Sequence, residues 1–255
     1  MHRIMDLSSS RSDGYAMSVR LGSKAAELKR VLGEIADAYP PAALSSSLSL
    51  EDMVITDVIL TANLDIEIFT MDTGRLHGDT LDLLDAIRVR YRYQVRVFTP
   101  DAALVAQYVT GHGRDAFFSS AQLRRECCHI RKVEPLKRAL RGKKAWITGL
   151  RREGSPGRSS VARRELDATY QLVKVNPLAD WSEDEVWEYL RAYSVPYNPL
   201  YDQGYRSIGC APCTRPVVTG EDIRAGRWWW EQDQGKECGL HAGAKGTLSR
   251  TPESV

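Results

Sequence analysis

Residues 42–72, AALSSSLSLEDMVITDVILTANLDIEIFTMD, decide the fold. AAL is a short apolar run into serines, LEDMVITDVILTAN carries its apolar residues at helical period, and DIEIFTMD is a β-rich apolar run. Strand, helix and strand in that order make one βαβ unit. The alternation continues downstream with a helix in DTLDLLDAIRVRY, a strand in QVRVFTP, a helix in AALVAQYV, a basic helix across QLRRECCHIRKVEPLKRAL and a strand in KAWITGL. A strand-like QLVKVNPL and a helix in SEDEVWEYLRAY, capped by Ser182, follow. Upstream, GSKAAELKRVLGEIADAY has helical spacing and stops at Pro40 and Pro41. This order predicts an α/β fold: a doubly wound, mostly parallel sheet with helices on both faces.

The 255 residues are 43% hydrophobic and 27% charged, enough to bury one sizeable core. Residues 19–230 are expected to form that α/β domain. The polar, Ser-rich residues 1–18 and the small and polar residues toward the end of 231–255 are expected to be flexible. A net charge of +2, from 35 basic and 33 acidic residues, gives no global field for nucleic acid or a membrane surface. Any anion site must be local. No apolar run approaches the roughly 18 residues of a membrane span, and none near the start has signal-peptide length. The expectation is a cytoplasmic protein, with its oligomeric state, a homo-oligomer included, left open.

Five cysteines without a secretory signal disfavour a disulfide framework and favour metal binding or thiol chemistry. Cys127 and Cys128 sit in the basic helix; Cys210 and Cys213 lie in a Gly- and Pro-rich stretch, residues 195–216. Four sulfurs in two pairs suit a structural zinc ion or an iron–sulfur cluster. Adjacent ligands are awkward for zinc, whereas a cubane has corners further apart; spacing alone leaves the two close to even. Cys238, in KECGLH, has no partner once the other four are assigned, and the nearby Lys236 and His241 would enrich its thiolate.

Ser45, Ser46 and Ser47 fall between a strand and a helix, where amides and hydroxyls can cradle a phosphate or merely cap the helix. The run from Met71 to His77, including Thr73 and Gly74, ends the next strand at the carboxyl edge of the sheet, where doubly wound folds bind ligands. Basic residues at Arg131, Lys132, Arg151, Arg152, Arg158, Arg224 and Arg227 could together neutralise a dianion. Trp228, Trp229 and Trp230 read as packing or as a stacking face.

Taken together, LSSSLSLED, FTMDTGRLH, ECCHIRKVEPL, WITGLRR, VNPLADWSEDEVW, YNPLYDQGYRSIGCAPCTRPV and KECGLH resemble the assimilatory adenylyl-sulfate reductases, of the adenine-nucleotide alpha-hydrolase-like superfamily. The resemblance runs from near Arg20 to near Ala242. It implies that Cys127, Cys128, Cys210 and Cys213 ligate a [4Fe-4S] cluster and that Cys238 attacks the sulfate sulfur. It further implies that Lys132, Arg158, Arg224, Arg227 and His241 surround the sulfate and phosphate, while the serine turn, Thr73 and Gly74 contact the nucleotide. Thioredoxin or a similar dithiol would then release sulfite. A reductase of 3'-phosphoadenylyl sulfate is the nearest alternative, and use of both substrates remains open at this point.

Overall fold

The computed structural model describes residues 7–231. Its helices are α1 (Leu7–Ala38), α2 (Leu50–Thr61), α3 (Gly78–Tyr91), α4 (Ala102–His112), α5 (Ala121–Cys128), α6 (Glu134–Ala139) and α7 (Glu183–Ala192). Strands β1 (Ala42–Ser45), β2 (Ile66–Met71), β3 (Arg96–Phe98), β4 (Ala145–Ile147), β5 (Arg164–Asp167) and β6 (Leu172–Val175) form one sheet in the order β3-β2-β1-β4-β6-β5. All neighbours pair in parallel except β5, which runs antiparallel to β6.

Strand alternation explains the two covered faces. Ala42 and Leu44 of β1, Ile66 and Ile68 of β2, and Ala145 and Ile147 of β4 share a core with α1, α2, α3 and α7. Ala43, Phe69 and Trp146 point the other way and pack on Leu136 and Ala139 of α6. Strands buried on both faces read as continuous apolar runs, which is how AAL and AWI appear in the sequence.

Two departures from the expected elements have local causes. First, α1 starts at Leu7, well upstream of the Gly22 start that the helical spacing suggests. Ser and Gly weaken a helix only modestly. No proline interrupts residues 7–38, so helix nucleated by the buried Leu21, Leu28, Leu32 and Ile35 can propagate upstream. Second, β5 escaped notice because RELD is polar and mostly exposed, as suits an edge strand.

The chain winds from β1 outward through β2 to β3, then returns to β4 on the other side of β1. The carboxyl ends of β1 and β4 therefore form the topological switch point, where such sheets bind ligands. Among the described residues no helix is long and apolar enough to cross a membrane.

Candidate functional site

A cleft of about 200 Å³ opens at that switch point. Ser45, Ser46 and Ser47 line it from the end of β1, Thr73 from beyond β2, and Thr148 and Gly149 from beyond β4. Lys132, Arg158, Arg224 and Arg227 line it as well, together with Cys210. The structure thus brings eight of the predicted substrate-binding residues into one cavity. Gly74 does not line the cleft but shapes its rim: its φ of +68° is left-handed, and its amide donates to Asp72 Oδ1 at 2.8 Å. Cys238 and His241 lie outside the described residues.

The serine turn differs from a phosphate cradle. The Ser46 amide donates to Phe69 O (2.8 Å), the Ser47 amide to Asp52 Oδ2 (2.7 Å) and the Leu48 amide to Ser46 Oγ (3.1 Å). Ser45 Oγ accepts the Trp146 indole N–H at 2.6 Å, and Ser47 Oγ donates to Asp52 Oδ2 at 2.7 Å. Ser49 is the N-cap of α2 and accepts the Asp52 amide. The Ser46, Ser47 and Leu48 amides are thus spent inside the chain. Burial pushes the Asp52 carboxyl up to about 6, against the hydrogen bonds from Ser47 that lower it.

A second, smaller cavity adjoins the cleft, lined by Cys127, Cys128, Cys210 and Cys213 with Phe117 and Trp228. Lys132 and Cys210 line both cavities. The first cysteine pair ends α5, and a π-helical turn, His129–Val133, follows directly. Pro135 explains that turn, since it cannot donate to the carbonyl four residues back and its ring would clash there. The second pair sits in a single 3₁₀ turn closed by the Cys213 amide on Cys210 O (2.9 Å). Thr214 Oγ1 donates to Cys210 O (2.9 Å), and the Ala211 amide donates to Arg75 O (2.7 Å), tying this turn to the rim beyond β2.

None of these four cysteines forms a disulfide. Burial pushes the Cys213 thiol up to about 12, reinforced by Cys210 and opposed by Lys132 and Arg227. Burial also raises Cys127, against the pull of Arg131. Buried thiols of this kind ionise only when cations compensate them. Among the described residues no three His, Cys, Asp or Glu side chains are grouped to hold a metal ion. Four thiols around one cavity, walled by Arg124, Arg131 and Lys132, nonetheless form a donor set suited to a multi-atom centre whose ligated atoms lie apart.

The tryptophan run divides. Trp228 is fully buried, with Arg124 and Arg227 guanidinium carbons 4.6 and 4.7 Å from ring centroids, and it walls the thiol cavity. Trp230 packs on Phe117 and Phe118. Arg151, a candidate anion ligand by its charge, is buried, donates to Glu51 Oε1 at 2.8 Å and to Trp181 O, and so braces the α2 entry.

Residues 41–216 match the family described as the phosphoadenosine phosphosulfate reductase domain. A Neisseria meningitidis serogroup A protein named adenosine 5'-phosphosulfate reductase is 54% identical over 222 residues, covering 87% of this chain and 91% of its own. A Burkholderia cepacia protein of the same name is 48% identical over 232 residues, covering 91% and 93%. A crystal structure of phosphoadenylyl-sulfate reductase from Candida auris, a phosphate complex, superposes with a TM-score of 0.64 at 27% identity, over 74% of this chain and 90% of that one. Candida glabrata FMN adenylyltransferase shares the fold, with a TM-score of 0.55 at 14% identity over 84% of this chain and 74% of that one. With this coverage and identity, the chain belongs to the phosphoadenosine phosphosulfate reductase domain family.

Proposed function

We propose that this protein is an oxidoreductase that reduces adenylyl sulfate to sulfite and AMP in sulfate assimilation. The observation that carries the reading is the meeting of a cation-lined nucleotide cleft with a four-thiol cavity at Lys132 and Cys210. Its relatives' names agree with it.

In this reading Lys132, Arg224 and Arg227, with Arg158 and His241, hold the sulfate and phosphate and offset the charge that develops on the leaving phosphate. Ser45, Ser46, Ser47, Thr73 and Gly74 position the nucleoside. The Cys238 thiolate attacks the sulfate sulfur, the sulfur–oxygen bond to phosphate breaks, and AMP leaves with that electron pair. A dithiol of the thioredoxin type attacks Cys238 Sγ of the resulting S-sulfonate and sulfite departs. The second thiol of the dithiol then closes its disulfide and returns Cys238. Two electrons come from the dithiol.

Cys127, Cys128, Cys210 and Cys213 would hold a [4Fe-4S] cluster. When bound, such a cluster supplies a cross-link between α5 and the 210–213 turn and a fixed local charge beside Lys132. Lys132 then faces thiolates on one side and the sulfate on the other.

The test is mass spectrometry of the brown holoenzyme mixed with adenylyl sulfate and no dithiol. A sulfonate on Cys238, released as sulfite when dithiol is added, is the expected result. A sulfonate on another residue, or ATP cleavage without sulfite, would overturn the reading; a colourless native protein would overturn the cluster.

A further inference from the structure

The two charged regions of the cleft have opposite sign. Lys132, Arg224 and Arg227 line the cleft beside Cys210, and Arg224 and Arg227 both donate to Ser207 Oγ, so three cations gather on the thiol side. The serine turn carries carboxylates instead. Asp52 lines the cleft, its Oδ2 takes the Ser47 amide and hydroxyl, and its Oδ1 faces Gly149, where a Cβ would stand 2.5 Å away. Glu51 beside it is bound to the buried Arg151.

The turn's geometry points the same way. Leu48 holds a left-handed φ of 61° with its side chain buried, and its amide turns inward to Ser46 Oγ. A phosphate cradle needs amides aimed at the ligand and a helix N-terminus free for an anion. Here the anion in that position is Asp52 itself, in the first turn of α2.

We propose that Asp52 is a specificity-determining residue: by filling the serine turn with a carboxylate it closes the ribose side of the cleft to a second phosphate group. The inference rests on the nucleotide reading above. An adenine nucleotide whose 5'-phosphate sits among Lys132, Arg224 and Arg227 directs its ribose toward the turn. A hydroxyl on that ribose can donate to Asp52, whereas a phosphate there meets a like charge while the Ser46, Ser47 and Leu48 amides are already engaged inside the chain. The chain therefore selects a ribose that bears hydroxyls only.

The experiment measures binding by calorimetry, independent of turnover, with AMP and with adenosine 3',5'-bisphosphate, on the wild-type holoenzyme and on Asp52→Asn. The asparagine keeps an acceptor for the Ser47 amide and hydroxyl but carries no charge. Wild type should bind AMP at least about tenfold more tightly than the bisphosphate, and Asp52→Asn should narrow that ratio by about tenfold. Equal binding of the two nucleotides by wild type would overturn the proposal without any variant. So would an Asp52→Asn protein that weakens both equally, the mark of a purely structural role. Binding of neither nucleotide by wild type would instead overturn the nucleotide reading, and this inference with it.

Discussion

Replacing Gly209 by alanine tests whether Arg227 is held as the anion contact of the cleft. A Cβ at Gly209 would lie 2.4 Å from Arg227 Nη2 and 2.6 Å from its Cζ, where ordinary contact begins near 3.4 Å. The guanidinium must therefore shift by about 1 Å, because close-packed interiors do not absorb such overlaps. It has little room to do so, being 6% exposed and stacked 4.7 Å from the Trp228 centroid. Displacing one charged hydrogen bond from a bound sulfate or phosphate costs about 1.5–3 kcal/mol. At 1.36 kcal/mol per decade this is a loss of about 10- to 150-fold in kcat/KM for adenylyl sulfate. The assay is steady-state sulfite release, with thermal melting run alongside to separate misfolding from misplacement. A second comparison isolates the route: in an Arg227→Ala background, Gly209→Ala should cost less than about threefold, because its target is gone. Gly209→Ala activity within twofold of wild type would refute the argument, and so would a full additional loss in the Arg227→Ala background.

On the proposed mechanism, Cys238→Ser should keep the visible chromophore while abolishing sulfite release, because the proposed nucleophile is distinct from the four cavity thiols; absorbance and turnover on one sample check it, and retained turnover removes Cys238 from the mechanism. Arg124 and Glu231 form a buried two-point pair, both contacts 2.9 Å long, just before the segment that carries Cys238. Arg124→Ala leaves the Glu231 carboxylate buried and unpaired and should cost about 3–5 kcal/mol in urea denaturation; a loss under about 1 kcal/mol counts against that pairing. For Asp52, burial raises the folded-state pKa to about 6, so the folded chain holds the proton more tightly than the unfolded one and the wild type loses stability as pH rises through about 4 to 6. Asp52→Asn lacks that titration, so its stability relative to wild type should improve by about 2.4 kcal/mol between about pH 4 and pH 7.5. A pH-independent difference between the two proteins would show that the buried carboxyl does not titrate as described.

The parallel core was legible because its physics is local. Strands buried on both faces must be continuously apolar, so AALS, IEIFTM and AWI announce themselves, and α2 and α7 show their periodicity and caps. Polar RELD carried no such mark, and the extent of α1 depended on helix propagation rather than on pattern. In the site, residue types with intrinsic chemistry stood out: the four cysteines and the clustered arginines and Lys132. Asp52 did not, and Arg151 showed only as one more basic residue, because a charged side chain gives no sign in the sequence that it will be buried.

The sequence by itself determined which side chains could ligate, attack or neutralise, because those capacities are properties of single residues and their spacing. Tertiary structure alone decided which of them meet. Lys132 and Cys210 became shared walls of two cavities because parallel β1 and β4 end side by side at the switch point, and the π-helical turn after Cys128 and the 3₁₀ turn before Cys213 converge there. Likewise, three serines that could have cradled a phosphate instead surround a carboxylate. Only folding places Asp52, five residues beyond Ser47, within 2.7 Å of its amide and hydroxyl, and hydrogen bonds made inside the chain are no longer available to a ligand.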